Sequence, residues 1–148
     1  MKRRTVIVLL LASFWLGRPP SASAHRVDEY LQATRVSVER SHIRLEMSLT
    51  PGIDVAPLVF SWIDANHDGQ ISRHEEDSYA QEVLRSIELL VDGRPVAVIL
   101  TGQSIPEFRE MRLGTGTIRL QAEARLSSSA AGAHQVVYRN RHKPEWSV

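Results

Sequence analysis

From residue 42 to residue 49 polar and apolar side chains take turns: Ile43, Leu45, Met47 and Leu49 alternate with His42, Arg44, Glu46 and Ser48. A period of two predicts a strand with one buried and one wet face. Residues 30–38 alternate more loosely and precede it, so two strands should meet around Arg40 and Ser41, with Pro51-Gly52 ending the second. The same period returns at residues 87–91 and 96–101, which flank Asp92-Gly93, a dipeptide suited to a tight hairpin turn. It returns again at residues 117–126, where Ile118, Leu120, Ala122, Ala124 and Leu126 share a face, and in a last strand near residues 135–139 beyond a flexible loop at 127–133.

Between the second and third strands the spacing changes to three and four. Val55, Val59, Phe60 and Ile63 fall on one face of a short helix, with Asp54 as its expected cap and Pro57 in a first turn that tolerates the missing N–H. Tyr79, Ala80, Val83, Leu84 and Ile87 form the stripe of a second helix that Ser72 caps and that runs to about residue 86. Phe60 and Trp62 read as core or rim packing residues. The pattern predicts an α+β domain: an antiparallel β-sandwich of about six strands, with a helix-loop-helix inserted at residues 54–86.

Residues 1–24 stand apart. Lys2, Arg3 and Arg4 precede an apolar stretch over residues 6–16, and Ala22-Ser23-Ala24 makes a small-residue cleavage site. That is the layout of a signal peptide, too short in its apolar part for the ~20 residues a spanning helix needs. Cleavage would leave a single domain, residues 25–148, starting at His25 and delivered to a periplasm or secreted. There is no cysteine, which excludes disulfides, thiolate metal sites and thiol catalysis. Of the 18 Lys and Arg, four (Lys2, Arg3, Arg4 and Arg18) lie in the leader, so 14 face 17 acids beyond it, a net charge of −3. An acidic domain argues against nucleic acid as a partner. Arg109, Arg112, Arg119 and Arg125 lie in segments expected to present a solvated sheet face.

The chemistry concentrates between the two helices. Residues 64–75 read Asp-Ala-Asn-His-Asp-Gly-Gln-Ile-Ser-Arg-His-Glu. Wrapping a short segment around one hard cation needs oxygen donors at alternating positions, a sharp turn at the sixth and a carboxylate that reaches back from the twelfth. Asp64, Asn66 and Asp68 supply side-chain oxygens, Gly69 permits the turn, Gln70 offers its backbone carbonyl, Ser72 acts through water, and Glu75 closes the cage. His74, Glu75, Glu76 and Asp77 occupy the first turn of the second helix, where acids favour its positive end. A plain capping box accounts for Ser72 and Glu75 but not for Asp64, Asn66, Asp68 and Gly69 in register with them. The segment resembles the calcium loop of the EF-hand family at every ligand position, which implies Ca2+ as the bound ion. Sensor-type EF-hands pair through the eighth residue; with one loop present, Ile71 and both helices must rest on another surface.

Six histidines raise a transition-metal possibility. Cleavage after Ala24 would place a free amine beside the His25 imidazole, a chelating pair that suits copper or nickel. His42, His134 and His142 are expected on solvent faces or loop edges, and His67 and His74 at loop positions that do not ligate calcium. Catalytic patterns such as Gly-x-Ser-x-Gly, His-Glu-x-x-His or a Gly-rich phosphate loop do not occur, so no enzyme is expected.

A second resemblance spans the chain after the leader. Residues 24–34 (Ala-His-Arg-Val-Asp-Glu-Tyr-Leu-Gln-Ala-Thr), Leu49-Thr50-Pro51-Gly52, Val91-Asp92-Gly93-Arg94-Pro95 and Gly116-Thr117-Ile118-Arg119-Leu120 look like the exported N-terminal part of HupE/UreJ-type bacterial membrane proteins. That group is associated with nickel or cobalt transport and continues into a bundle of membrane helices, a segment this chain does not show after residue 24. Two readings follow. One is an exported calcium-binding module whose ion is structural and supports a surface for a protein partner. The other is the soluble part, or a shortened relative, of an inner-membrane transition-metal transporter.

Overall fold

The computed structural model describes residues 28–126 and 132–147. The leader, His25 and most of the 127–133 loop lie outside these residues. The chain folds as α+β, with two antiparallel sheets and three helices. Strands β1 (Tyr30–Val38), β2 (His42–Pro51), β5 (Ile99–Ser104) and β6 (Ile118–Arg125) form a four-stranded sheet in the order β1-β2-β6-β5. Strands β3 (Ile87–Val91), β4 (Arg94–Pro95) and β7 (Val136–Asn140) form a three-stranded sheet in the order β4-β3-β7. Helices α1 (Ala56–Ile63) and α2 (Arg73–Arg85) are inserted between β2 and β3, and α3 (Phe108–Arg112) lies between β5 and β6.

Register follows from the alternation. Leu45 pairs with Ala122, Met47 with Leu120 and Leu49 with Ile118, so apolar side chains from both central strands land on the same face. These residues are fully buried, and one continuous core joins them to Val55, Ala56, Val59, Phe60 and Ile63 of the first helical segment and to Tyr79, Ala80, Val83 and Leu84 of α2. The opposite face is wet and charged: Arg35 sits 3.6 Å from Glu46 and Arg44 3.4 Å from Glu123 across neighbouring strands. Such exposed pairs contribute little stability each but keep like charges apart.

Three sequence expectations are corrected. Asp54 does not cap α1. The N–H groups of Val55 and Ala56 both bond the Gly52 carbonyl, at 3.1 and 2.9 Å, so the chain is already turning and Val55 takes the cap position, with no side-chain hydrogen bond. The strand expected at 96–101 is divided between sheets. The two-residue β4 ends at Pro95, with one further bond from Val96 N–H to the Leu89 carbonyl at 2.9 Å; the chain is irregular over residues 96–98 and enters the other sheet at Ile99, with a register shift between Leu100 and Gly102. Arg109 and Arg112 lie on α3 and not on a sheet face, whereas Arg119 and Arg125 are exposed on β6.

Helix α3 was unforeseen, yet its signals are local. Glu107 and Glu110 form a reciprocal capping box, and Gly114, at φ +70°, ends the helix with Gly114 N–H bonded to the Met111 carbonyl and Thr115 N–H to the Glu110 carbonyl. The returning chain passes so close that a Cβ on Gly116 would lie 2.7 Å from the Met111 nitrogen. That turn presses Met111 into the core with no exposed surface.

Leu45→Ala should lower unfolding free energy by about 3 kcal/mol, because it empties a closed core site. Ser37→Ala on β1 should change it by less than about 0.5 kcal/mol. Urea denaturation of both variants checks the assignment of faces; equal effects would contradict it.

Candidate functional site

The loop at 64–75 is held at both ends by packed helices. Ile63 is buried at the end of α1, Tyr79 and Ala80 are buried in α2, and Ile71 packs partly buried against the core. The core cluster thus supplies the support that a lone helix-loop-helix needs.

Asp64 and Glu75 are buried, at 4% and 5% exposure, whereas Asn66, Asp68, Gly69 and Gln70 face solvent. The acidic side chains turn onto the loop's own amides. Asp64 accepts from the N–H groups of Asp68 at 3.1 Å and Gly69 at 2.9 Å, through different carboxylate oxygens. Asp68 accepts from Gln70 N–H at 2.8 Å and from the Asn66 side-chain amide at 3.0 Å, while Asn66 Oδ1 accepts from Asp68 N–H at 2.9 Å. Backbone turns make this possible: Gly69 stands at φ +82° and His67 at φ +60°, both left-handed, the first costing glycine nothing.

Glu75 closes the loop. Carried in the first turn of α2, its Oε1 accepts from Asn66 N–H at 3.2 Å, and its Oε2 accepts from Ser72 N–H at 2.8 Å and Ser72 hydroxyl at 2.7 Å. Ser72 Oγ in turn accepts from Glu75 N–H at 3.3 Å, completing the capping box at the start of α2. These donors, the Ser72 N–H foremost, hold the Glu75 carboxyl down at about 2, because each hydrogen bond favours the ionised form.

The expected donors therefore fall within one loop: Asp64 and Glu75 buried at its ends, with Asn66, Asp68, Gln70 and Ser72 between them. They are not drawn into a tight cluster. Among the described residues, no three His, Asp or Glu side chains are gathered so as to hold a metal ion as they stand. The physical reason is visible in the contacts: amide N–H groups occupy the carboxylate oxygens, and three of the six donors, Asn66, Gln70 and Ser72, are not acids. In its chemistry the set fits a hard divalent cation, since every donor is oxygen, the sixth residue is left-handed and the twelfth reaches back to the third.

The remaining histidines divide. His42 lies 3.4 Å from Glu39, and exposed His134 holds Asp92 at 2.7 Å, bracing the hairpin turn of β3 and β4. His25 lies outside the described residues. His142 corrects the expectation of a solvent position. It is 2% exposed, and its Nε2 is 3.1 Å from the Tyr79 hydroxyl, which is 2.8 Å from the Tyr30 hydroxyl. Sequence reading missed this because the segment after β7 carries no periodicity; contacts from two distant parts of the chain, Tyr30 on β1 and Tyr79 on α2, enclose the ring.

No family model, curated protein or solved structure matches the chain. Among the described residues, no helix is long and apolar enough to cross a membrane.

Ser72→Ala should cost about 1 kcal/mol in calcium-free urea denaturation, the usual worth of an N-cap. The Glu75 carboxyl sits below its unfolded value of about 4.5. Its contribution is therefore complete above that value and fades as pH falls toward about 2. Denaturation between pH 5 and 2 should show a fall that Glu75→Gln flattens; parallel curves would place the acid sensitivity elsewhere.

Proposed function

We propose that this chain is an exported calcium-binding module with one EF-hand, in which the ion is structural and stiffens a surface offered to a protein partner. On this reading the two sheets are the halves of a β-sandwich and the helix-loop-helix is its insertion. The observation that supports it most is the closure of residues 64–75, where Glu75 returns from α2 to the Asn66 N–H around a left-handed Gly69.

A bound divalent cation would supply charge neutralisation to Asp64, Asp68 and Glu75, with Asn66, the Gln70 carbonyl and a Ser72-held water completing an oxygen shell. The chain's own residues do the rest. Ile71 and the buried faces of α1 and α2 fix the spacing between the first and last ligands. Ser72 orients the Glu75 carboxylate by donating to it from both backbone and side chain. The hydrogen bonds that hold the acids are pre-arranged, so the loop does not have to be ordered from an open chain. An affinity of about 10⁻⁴ to 10⁻³ M, typical of extracellular modules, is what a lone loop of this kind should reach.

Calcium should raise the melting temperature of the protein, and Glu75→Gln should lose most of that rise. Calorimetric titration with calcium, magnesium, nickel and copper tests the assignment directly. Heat from calcium that disappears in the variant supports it. Nickel or copper heat that survives in Glu75→Gln would favour the metal-transport reading through His25, and identical melting with calcium and with chelator would overturn the calcium site.

A further inference from the structure

The segment after β7 is strapped across the helical insertion by contacts that the calcium reading does not use. Tyr30 N–H bonds the Trp146 carbonyl at 2.7 Å, and Tyr30 bridges Ser147 in parallel. Gln32 Nε2 donates to the His142 carbonyl at 2.8 Å. Lys143 Nζ stands 4.6 Å over the Trp62 ring and 3.1 Å from Glu82. At the centre lies the buried chain Tyr30–Tyr79–His142, joining β1, α2 and the strap. Trp62 is two residues before Asp64 and Tyr79 four residues after Glu75, so the strap grips both helices that flank the loop.

We propose that His142 is a proton-operated latch, which holds residues 141–147 across α1 and α2 when its ring is neutral and releases them when it is charged. When Nε2 carries no proton it accepts from the Tyr79 hydroxyl at 3.1 Å, and the Tyr79 oxygen shares a hydrogen bond with the Tyr30 hydroxyl at 2.8 Å. Protonation makes Nε2 a donor, so the Tyr79 hydroxyl has to accept from it and turn its own proton away from the ring. It also places a cation in a site with almost no solvent. The charged groups around the ring do not cancel this: Glu82 on α2 and Glu145 on the strap favour the cation, Lys143 on the strap opposes it, and Tyr30 and Tyr79 are phenols that burial keeps neutral. Burial dominates and lowers the imidazole from 6.5 to about 4.

The sign follows from linkage. A released strap takes up its proton near 6.5 and a latched one only near 4, so latching is fully favoured above 6.5 and weakens as pH falls between these values. One proton can shift the latched-to-released ratio by at most about tenfold per pH unit. Nothing in this requires calcium.

Hydrogen exchange of the whole protein at pH 7 and pH 5, corrected for the intrinsic pH effect, tests the latch. The peptide covering residues 141–147 and the Tyr30 amide should lose protection by roughly tenfold or more at the lower pH, while β2 and β6 stay protected. His142→Gln, which cannot titrate, should show no such dependence. An NMR titration of unsubstituted protein keeps the test independent of that variant's folding: the His142 ring should titrate well below 6.5 and the strap amides should follow it. Strap protection unchanged between the two pH values, strap amides that ignore the ring, or the same pH response in His142→Gln would each overturn the latch.

Discussion

A helix-loop-helix of this length cannot bury its own apolar stripes. Helix α1 has eight residues and α2 thirteen, below the length at which isolated helices are stable in water. Each must lay its buried face on something else, and both share one core with the apolar inner face of β2 and β6. That requirement organises the molecule. It explains why β2 and β6 alternate so strictly, since a slip of one residue would turn Leu45, Met47, Leu120 and Ala122 outward and remove the floor under both helices. It also explains why Ile63 and Tyr79, just outside the loop, are almost fully buried while the loop's middle is open to solvent. The acidic loop is free to serve chemistry because its supports are fixed by oil and not by charge.

Within the loop a second constraint acts. Asp64, Asp68 and Glu75 crowd negative charge into one short segment, and an unpaired buried carboxylate is costly. The chain meets this by aiming amide N–H groups inward. Five backbone amides, of Asn66, Asp68, Gly69, Gln70 and Ser72, donate to the acidic side chains at 3.2 Å or less. The same left-handed turns that allow this convergence are those an ion-binding loop demands.

Legibility from sequence tracked how local the deciding interaction was. Strand β2, the Ser72 cap and the Asp92-Gly93 turn were readable because each rests on residues within a few positions of one another. Ser72 needs only Glu75, and Asp92 at φ +50° and Gly93 at φ +75° mark the turn by themselves, although His134 and Gln135 then brace it from a distance. Asp54 had the right side chain in the right place, yet it lost the cap because the Gly52 carbonyl had already started the turn. The 96–101 run had strand character throughout, but the chain leaves β3 after Val96 and joins β6 at Ile99, a change of sheet that no pattern of hydrophobicity records. Helix α3 carried a readable capping box in Glu107 and Glu110 and a readable stop in Gly114; the surrounding strand pattern concealed them. His142 was illegible in a deeper sense. Its burial is created by Tyr30 and Tyr79, separated from it by more than sixty residues, and no spacing rule joins them.

The two ionisable groups lowered at the helical insertion divide the acidic range between them. His142 is displaced by burial, to about 4, and Glu75 by hydrogen bonds that favour its charge, to about 2. Both displacements make acid unfavourable to the folded arrangement, but over successive windows: the histidine between 6.5 and about 4, the carboxylate between about 4.5 and about 2. Their causes also differ in reach. Charging His142 disturbs contacts among β1, α2 and the strap, which meet at the buried Tyr30 and Tyr79. Neutralising Glu75 removes the reach-back that closes the loop and half of the capping box that starts α2. A mildly acidic medium therefore loosens the strap while the loop keeps its ionised carboxylates and its floor of β2 and β6 side chains. The arrangement separates a part that can yield from a part that must hold.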